Sequence, residues 1–356
     1  MLMARVFGLL VLLAAPALAR PPQALLSHLH RGVNITGWFR FPANRDPAAL
    51  ARWMPDSAIA GLRRAGFDFV RLAIDPAIAE NQAVRDTAAA AICRLRNHDL
   101  AVVVDAHPFD WHLETAPHDR DRLRAFWRDF APALHGCDPQ LIVPEVLNEP
   151  VFPNDPAGWA ALQHTLLTDL RQALPDSTIL LTGQDWGSIG GLLALRPEAD
   201  PNVLYSFHFY DPPELTSLAA YRPGLDQADL ARLPFPVTDP AACPLGSDGA
   251  TADTIHYYCT MGWNDAAIAQ RIAAAADWAK QHHATLLAGE FGAAQTLNPA
   301  ARSAWLRAVR QSLERDGIAW ALWGYDDIMG FGIRRPPPAQ PILDPNVLAA
   351  LGLPPS

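Results

Sequence analysis

Two glutamates of this chain lie at positions where they could take part in acid-catalysed bond cleavage. Glu149 follows the largely apolar segment 142–147, and Glu290 follows the apolar segment 285–288. Burial of a carboxylate beside such segments costs free energy unless the group is paired or hydrogen-bonded. A single glutamate of this kind is more often a salt-bridge partner or a loop anchor. Two of them, at the ends of predicted strands four and seven and together with arginine, histidine and tyrosine at other strand ends, favour a catalytic pair.

Cleavage of a glycosidic bond is a reaction that two carboxyl groups can carry out together. One group must be protonated so that it can donate to the leaving oxygen. The other must be ionised so that it meets the positive charge that develops on the sugar. Two glutamates in unlike environments satisfy both requirements.

The elements that must position these side chains alternate along the chain. Short apolar segments rich in Val, Ile, Leu and Phe predict eight strands, at residues 32–36, 67–74, 101–106, 142–148, 178–182, 203–208, 285–289 and 319–324. Helical periodicity predicts helices at 56–65, 87–97, 119–134, 156–174, 266–281 and 299–316. Continuous apolar strands are typical of a buried parallel sheet. Eight such units without a Gly-rich phosphate loop predict a single α/β domain, a (β/α)8 TIM barrel.

Catalytic side chains of such a barrel lie at the C-terminal ends of its strands. The polar and aromatic residues at these predicted ends are Arg71, His107, Asn148, Glu149, His208, Tyr210, Glu290 and Trp323. An indole ring stacks on the apolar face of a pyranose, so we expect Trp323 to form the floor of a sugar subsite. Four further tryptophans lie in predicted loops and could extend the cleft, namely Trp38, Trp111, Trp186 and Trp263. A core position for any tryptophan, and a structural role for either histidine, stay open.

Four segments together resemble glycoside hydrolase family 5, the cellulase family. They are 31–34 (Arg-Gly-Val-Asn), 147–150 (Leu-Asn-Glu-Pro), 207–210 (Phe-His-Phe-Tyr) and 289–292 (Gly-Glu-Phe-Gly). The resemblance covers residues 31–332 and implies a retaining mechanism, with Glu149 as acid/base and Glu290 as nucleophile.

The same resemblance implies roles for the surrounding residues. Arg71 and the Tyr210 hydroxyl are expected to keep Glu290 ionised and oriented, and Asn148 to hydrogen-bond the sugar 2-hydroxyl. His107 and His208 are expected to position the sugar and the carboxyl groups, and Asn34 to support the site. Double displacement requires a carboxyl separation of about 5 to 5.5 Å.

The glycan itself is less sharply indicated than the chemistry. The core motifs most resemble the cellulase members, which favours β-1,4-glucan, while β-mannan and β-1,3-glucan stay open on the same machinery. We expect the segment 108–119 and a long insertion at about 211–264 to set specificity, and the insertion to overhang the active site.

Two other classes of protein compete with this interpretation. A metal-dependent barrel hydrolase is suggested by twelve histidines and by Asp105-Ala106-His107 on the third predicted strand, but the His-x-His pair at 28–30 precedes the first predicted strand. A sugar-binding barrel without catalysis would not need both carboxyl groups. The proposed chemistry requires no metal and no cofactor.

Charge and the N-terminal segment limit the partners and the compartment. The formal net charge of -9, spread along the chain, argues against binding to nucleic acid or to an anionic membrane. Residues 1–19 have a basic start, an apolar run of about ten residues and an Ala-x-Ala site, which predicts a secretory signal peptide cleaved near Ala19. We therefore expect a secreted or periplasmic catalytic domain at 20–356, without membrane insertion or an obligate protein partner.

The four cysteines fit two disulfide bonds in an oxidising compartment. Of the three possible connectivities, the pairs Cys93–Cys137 and Cys243–Cys259 close the shortest loops. Spacing alone leaves the connectivity open.

Overall fold

The strands of this chain close into a barrel in the order of the sequence. The structure, a computed structural model, describes residues 20–332 and 340–354, so the predicted signal peptide at 1–19 lies outside the described residues. Every strand runs parallel to its neighbours, and the last pairs with the first. The strands are β1 (Arg31–Phe39), β2 (Phe69–Ile74), β3 (Ala101–Ala106), β4 (Ile142–Glu145), β5 (Ile179–Thr182), β6 (Val203–Phe209), β7 (Leu286–Phe291) and β8 (Ala319–Leu322). The predicted (β/α)8 barrel is confirmed.

Helices surround the barrel and form its loops. They are α1 (Gln23–Leu26), α2 (Pro47–Arg52), α3 (Asp56–Arg64), α4 (Gln82–Asn97), α5 (Pro117–Phe130), α6 (Pro156–Ala173), α7 (Ile189–Ala194), α8 (Pro213–Thr216), α9 (Gln227–Leu230), α10 (Gly249–Thr260), α11 (Asp265–His282), α12 (Pro299–Arg315) and α13 (Pro345–Ala350). Short 3-10 helices cover Ile78–Glu80, Ala131–Gly136, Pro139–Leu141 and Pro240–Ala242. Side chains of aspartate or asparagine cap most of the long helices, as the Asn81 side chain does where α4 begins.

Several element bounds differ from the prediction for local reasons. Helix α4 begins five residues early because the Asn81 cap precedes the apolar positions that signalled the helix. Strand β4 ends at Glu145 rather than at 148, before a bend in which Glu149 takes a φ of 41°. Strand β1 continues to Phe39, three residues beyond its predicted end.

The interior of the barrel changes from apolar to charged along its axis. At the N-terminal end, α1 closes the barrel with Leu25, and the apolar layer inside includes Phe69, Val103, Val143 and Leu287. Side chains alternate along a strand, so positions two residues further on face the same interior. In β2, β3 and β4 these positions hold the charged residues Arg71, Asp105 and Glu145. The C-terminal half of the barrel is therefore lined by ionisable groups.

The segment 211–264 is a folded insertion between β6 and α11. It contains α8, α9 and α10 and is cross-linked by the disulfide Cys243–Cys259. It meets the barrel where the Thr216 hydroxyl donates to the Tyr210 carbonyl at 2.6 Å. The second disulfide, Cys93–Cys137, joins α4 to the segment before β4. In the part of the chain that the structure describes, every helix is too short or too polar to cross a membrane.

Candidate active site

Arg71 on β2 is the centre of a buried cluster of charges. Its side chain is inaccessible to solvent, and its guanidinium contacts three carboxylates. Nε and Nη2 form a bidentate pair with Glu145 at 2.6 and 3.0 Å, and Nη1 donates to Glu290 at 2.7 Å. Nη2 also lies 3.1 Å from Oδ2 of Asp105. Three carboxyl groups therefore share one cation.

Two asparagines take the remaining donors of Arg71. Oδ1 of Asn34 and Oδ1 of Asn148 each accept from the guanidinium at 2.9 Å. Asn34 in turn donates to the carbonyls of Gly289 and Leu322, so it joins β1 to the ends of β7 and β8. All five N–H groups of Arg71 are thus committed within the protein. Asn34 and Arg71 together form the buried polar layer beneath Glu290.

The charge of this cluster is incompletely balanced. Burial raises the pKa of Glu145 to about 7 and that of Asp105 to about 6, although Arg71 opposes both shifts. Sequence reasoning assigned no site role to Glu145, and it considered Asp105 only as a metal ligand. Both stand two residues after an interior apolar residue of the same strand, as Arg71 does. A charged residue two positions after an interior apolar residue of a strand is the sequence signal by which Glu145 and Asp105 could have been identified.

Glu290 is held on both of its carboxylate oxygens. Arg71 donates to Oε1 at 2.7 Å, and the Tyr210 hydroxyl donates to Oε2 at 2.8 Å. Burial and the charge of Glu290 raise the pKa of Tyr210 well above its usual range, so Tyr210 remains a donor. Two such donors stabilise the ionised carboxylate and set its direction.

An irregularity between β6 and β7 turns Glu290 into the barrel. Phe207 pairs with Ala288, but the next pair is His208 with Glu290, so Gly289 is an extra residue in β7. Leu287 packs inside the barrel, and strict alternation from it would point Glu290 outwards. The bulge at Gly289 reverses that alternation, as bulges beside active sites commonly do.

Glu149 lies opposite Glu290 in a different environment. Its side chain is 29% exposed, whereas Glu290 is almost fully buried. Its φ of 41° belongs to the left-handed region, which is costly for a residue with a side chain and is retained mainly at functional sites. One carboxylate oxygen of Glu149 lies within 4.8 Å of one of Glu290. The two carboxyl groups therefore face the same small volume.

His208 joins the two glutamates. Its Nδ1 lies 2.9 Å from Oε1 of Glu149 and 3.5 Å from Oε2 of Glu290. Burial alone lowers the pKa of His208, but the charge of Glu290 and the hydrogen bond to Glu149 offset this, so the net shift is upward. A protonated His208 donates this hydrogen bond to Glu149.

The whole site lies within one region of family similarity. Residues 31–327 match the family Cellulase (glycosyl hydrolase family 5). This chain belongs to glycosyl hydrolase family 5.

Individual relatives of this family 5 chain are distant in sequence. Endoglucanase 3 of Fibrobacter succinogenes is 26% identical over 337 residues, which covers 85% of this chain but 50% of that protein. The chain thus spans half the length of that relative. Endoglucanase C of Acetivibrio thermocellus is 23% identical over 337 residues and is covered to 97%, with 89% of this chain.

The fold is also shared with a solved endoglucanase from the hyperthermophilic Thermotoga maritima. The two structures superpose with a TM-score of 0.75 at 20% sequence identity, over 94% of this chain and all of that one. At this identity the similarity concerns the fold alone.

A cavity of about 330 Å³ lies on the Glu149 side of the family 5 site, beyond the ends of β3 and β4. Its lining includes His107, Asn148 and Glu149, with Trp111 and Trp186 at the sides. Nδ1 of His107 lies 2.7 Å from Oδ2 of Asp105. Burial and the nearby Arg40 lower the pKa of His107 well below its usual value, so its ring is neutral. Nδ1–H then donates to Asp105, and Nε2 is left as an acceptor.

The predicted aromatic residues divide into two groups. Trp186 is 57% exposed beside Glu149, and Trp111 lines the same cavity. Trp323 is buried against the His107 ring, with ring centres 5.7 Å apart. The prediction that Trp38 lies in a loop is wrong. Trp38 is a fully buried residue of β1, and its indole donates to the Leu50 carbonyl at 2.8 Å.

Trp263 and the insertion also lie differently from the expectation. Trp263 is buried within the insertion, where Arg271 stacks on its ring at 4.6 Å. Residues 211–264 contribute no side chain to the lining of the cavity beside Glu149. The overhang is thus absent at this cavity, and over Glu290 and Tyr210, which are not among the residues that line it, the overhang stays a prediction.

A larger cavity of about 680 Å³ lies at the opposite, N-terminal end of the barrel. Its acidic groups are already engaged, since Asp68 accepts from the backbone of His30 and Arg31, and Glu314 pairs with Arg31. Reactive groups of a barrel gather at the other end, so we assign the site there.

Glu149, His208 and Glu290 are also the one group within residues 20–332 and 340–354 whose ligand atoms could hold a metal ion. Both oxygens of Glu290 already accept hydrogen bonds, and the Arg71 cation lies 2.7 Å from one of them. A second cation at this position would meet electrostatic repulsion. The donor set suits a catalytic carboxylate pair better than a metal site.

Proposed function

We propose that this chain is a retaining endo-β-glucanase that hydrolyses β-1,4-linked glucan. The observation that carries the proposal is the approach of Glu149 to Glu290, with carboxylate oxygens within 4.8 Å of each other. Retaining glycosidases hold their two carboxyl groups about 5 to 5.5 Å apart, whereas inverting enzymes separate them by about 6.5 to 9.5 Å. The relatives named above, which are endoglucanases, support the choice of a glucan.

The first step forms a bond between the enzyme and the sugar. An oxygen of Glu290 attacks the anomeric carbon while the glycosidic bond to the leaving oxygen breaks. Glu149 donates its proton to that oxygen, so the leaving sugar departs as an alcohol. Glu290 is fit for attack because Arg71 and Tyr210 each donate a hydrogen bond to one of its carboxylate oxygens and fix its direction.

The second step releases the sugar. Water attacks the anomeric carbon, Glu149 accepts a proton from the water, and Glu290 leaves as a carboxylate. Glu149 must now act as a base, and His208 at 2.9 Å supports its ionised form. Two inversions at the same carbon return the original anomer.

Asn148 and Trp323 complete the sugar site in this proposal. The Asn148 carbonyl oxygen accepts from Arg71 at 2.9 Å, which leaves its amide N–H groups free to donate to the sugar 2-hydroxyl. Trp323 offers its ring as the floor. Two disulfides fit an enzyme that works outside the cytoplasm, in a periplasm or a secreted state.

Azide rescue tests both roles. Azide can replace the lost nucleophile in Glu290→Ala by a single displacement, which gives an α-glycosyl azide from a β-glucan. In Glu149→Ala, azide attacks the glycosyl-enzyme instead, which gives the β-glycosyl azide. Each variant alone should lose several orders of magnitude in kcat. Glu314→Gln, a change at the opposite end of the barrel, is the matched control and should retain activity.

A substrate panel separates the remaining alternatives. Soluble β-1,4-glucan, β-1,3-glucan and β-mannan would be compared by product size and by the anomer first formed. Preference for mannan or β-1,3-glucan would overturn the substrate assignment but leave the mechanism. An initial α-anomer would refute double displacement. Binding without any hydrolysis would indicate a sugar-binding barrel, and loss of activity in chelator would indicate a metal enzyme.

A further inference from the structure

Arg40 is a second arginine of the site, and it lies at the C-terminal end of β1. It is partly buried and lines the same cavity as His107 and Glu149. Its guanidinium carbon lies 4.3 Å from the ring centre of Phe41 and 5.8 Å from that of Trp323. The side chain therefore lies beside the aromatic floor on which a sugar would stack.

The Arg40 guanidinium has no polar partner in the described part of the chain. It forms neither a hydrogen bond nor an ion pair there, and its Nε is fully buried. Burial lowers the pKa of Arg40, and Glu290, Asp105 and Glu149 act in the opposite direction. An arginine nevertheless remains protonated in a protein. A buried charge without hydrogen-bond partners is costly, and the carboxylates and the Phe41 ring offset that cost only in part, because they leave the guanidinium N–H groups without acceptors.

The backbone holds Arg40 at this position. Its N–H donates to the Thr36 carbonyl at 3.1 Å, which makes a tight turn after the strand. The Thr36 N–H donates to the Asp326 carboxylate at 2.9 Å. Asp326 follows Trp323 by three residues, so the same carboxylate ties the turn to the segment that carries the floor. The position of Arg40 relative to Trp323 is built into the fold.

We propose that Arg40 is a specificity-determining, substrate-binding residue of this chain. Its free guanidinium N–H groups donate hydrogen bonds to the hydroxyl oxygens of a neutral sugar unit next to the unit stacked on Trp323. This inference rests on the proposed function, because it names how that site holds its glycan.

The carboxyl groups around Arg40 favour the binding of a neutral sugar over an anionic one. Five carboxyl groups act electrostatically with Arg40, those of Asp75, Asp105, Glu149, Glu290 and Asp327. A uronate or another anionic substituent beside Arg40 would meet these acids, which outnumber the two arginines of the site, Arg40 and Arg71. Hydroxyl oxygens accept from the guanidinium without adding charge.

Two exposed rings continue the same line of contacts. Phe41 and Phe109 are 50% and 62% exposed, and their rings meet edge to face with centres 5.7 Å apart. Exposed aromatic groups beside an arginine at the rim of a cleft suit the apolar face of a further sugar. The contacts thus lead from Trp323 past Arg40 to this pair.

The test replaces Arg40 by methionine, which keeps the length of the apolar stem and removes the charge and the donors. Binding of cellotetraose is measured by calorimetry in Glu290→Gln, which cannot turn the ligand over, with and without R40M. We expect R40M to weaken binding about 10- to 100-fold, the range for hydrogen bonds from a charged group. R40K should recover part of the loss. R52M, at an exposed arginine of α2, is the matched control and should bind as the parent does.

Thermal unfolding separates binding from structure. Because Arg40 has no hydrogen bond or ion pair to lose among the described residues, and its contact with Phe41 is half-exposed, R40M should unfold at the same temperature as the parent or higher. A lower unfolding temperature would assign Arg40 to structure and overturn the proposal.

Three further results would also overturn the inference. They are unchanged affinity in R40M, a shifted pH profile of kcat/KM without any change in binding, or tighter binding of carboxylated than of neutral oligosaccharides that R40M abolishes. If the wild-type chain hydrolysed no β-glucan, the proposed function would fail on its own. The binding comparison in Glu290→Gln would still test Arg40 with whichever oligosaccharide binds.

Discussion

Replacement of Glu145 by glutamine should change how the stability of this protein depends on pH. Glu145 is fully buried, and burial raises its pKa to about 7 from the ordinary value of 4.5. Arg71 opposes this shift but also serves Asp105 and Glu290. Glutamine preserves the size of the side chain and cannot ionise. The substitution therefore removes the titration of this one group.

The sign and size of the effect follow from linkage. A folded-state pKa above the unfolded value stabilises the fold below pH 4.5, and this contribution is lost as the pH rises through 7. A shift of about 2.5 pKa units corresponds to about 3 kcal/mol. Wild type should lose stability of this order between pH 4.5 and 8 through Glu145, and Glu145→Gln should not. The free energy of unfolding of the variant therefore increases relative to that of the wild type as the pH rises.

The assay is denaturation by guanidinium chloride at pH 4.5, 6 and 8 for both proteins. The difference in their free energies of unfolding cancels the titration of all groups that they share. The opposite trend would refute the reasoning. If Glu145 were ionised throughout as a stabilising partner of Arg71, its removal would cost about 3 to 5 kcal/mol at pH 8. That cost would shrink towards low pH.

Three further perturbations test the site and its supports. Tyr210→Phe removes a donor to Glu290, so kcat on a soluble β-glucan should fall about 10- to 100-fold while the unfolding temperature stays within a few degrees. Trp186→Ala should raise KM without loss of stability, whereas Trp38→Ala should lower the free energy of unfolding by about 3 to 5 kcal/mol and leave KM unchanged. These two are compared by substrate titration and by denaturation. Replacing Cys243 and Cys259 together by serine opens a 16-residue loop and should cost about 3 kcal/mol in the same denaturation assay, with an unchanged pH profile of kcat/KM.

The strand pattern was readable from the sequence because strands of a parallel barrel are apolar on both faces. Residues that directly follow such runs were then easy to find, which is how Glu149, Tyr210 and Glu290 came to attention. Glu145 was missed although it lies three residues before the predicted end of its strand, as Arg71 does, because the segment 142–147 was treated as apolar throughout. Trp38 was misplaced because β1 continues three residues beyond its apolar signal.

Distances between strands were beyond the reach of the sequence. The bulge at Gly289 decides that Glu290 points inwards, and it depends on the pairing of β7 with β6. The left-handed φ of Glu149 likewise arises from a bend that the conformational preferences of the residues there do not predict. The ends of predicted strands identify candidate site residues, but tertiary contacts determine whether the side chains of these residues come together.

The two arginines of the site have different roles because they differ in the number of N–H donors that remain free to bind a ligand. Arg71 has spent all five N–H groups on protein acceptors, so it can hold Glu290 in position but has none left for a ligand. Arg40 lies in the same field of carboxylates and is paired with none of them among the described residues. In the proposed mechanism, the first arginine orients the nucleophile, and the second keeps its hydrogen bonds for the sugar. A substitution at Arg71 should therefore impair the chemical step, whereas one at Arg40 should impair the hold on the glycan.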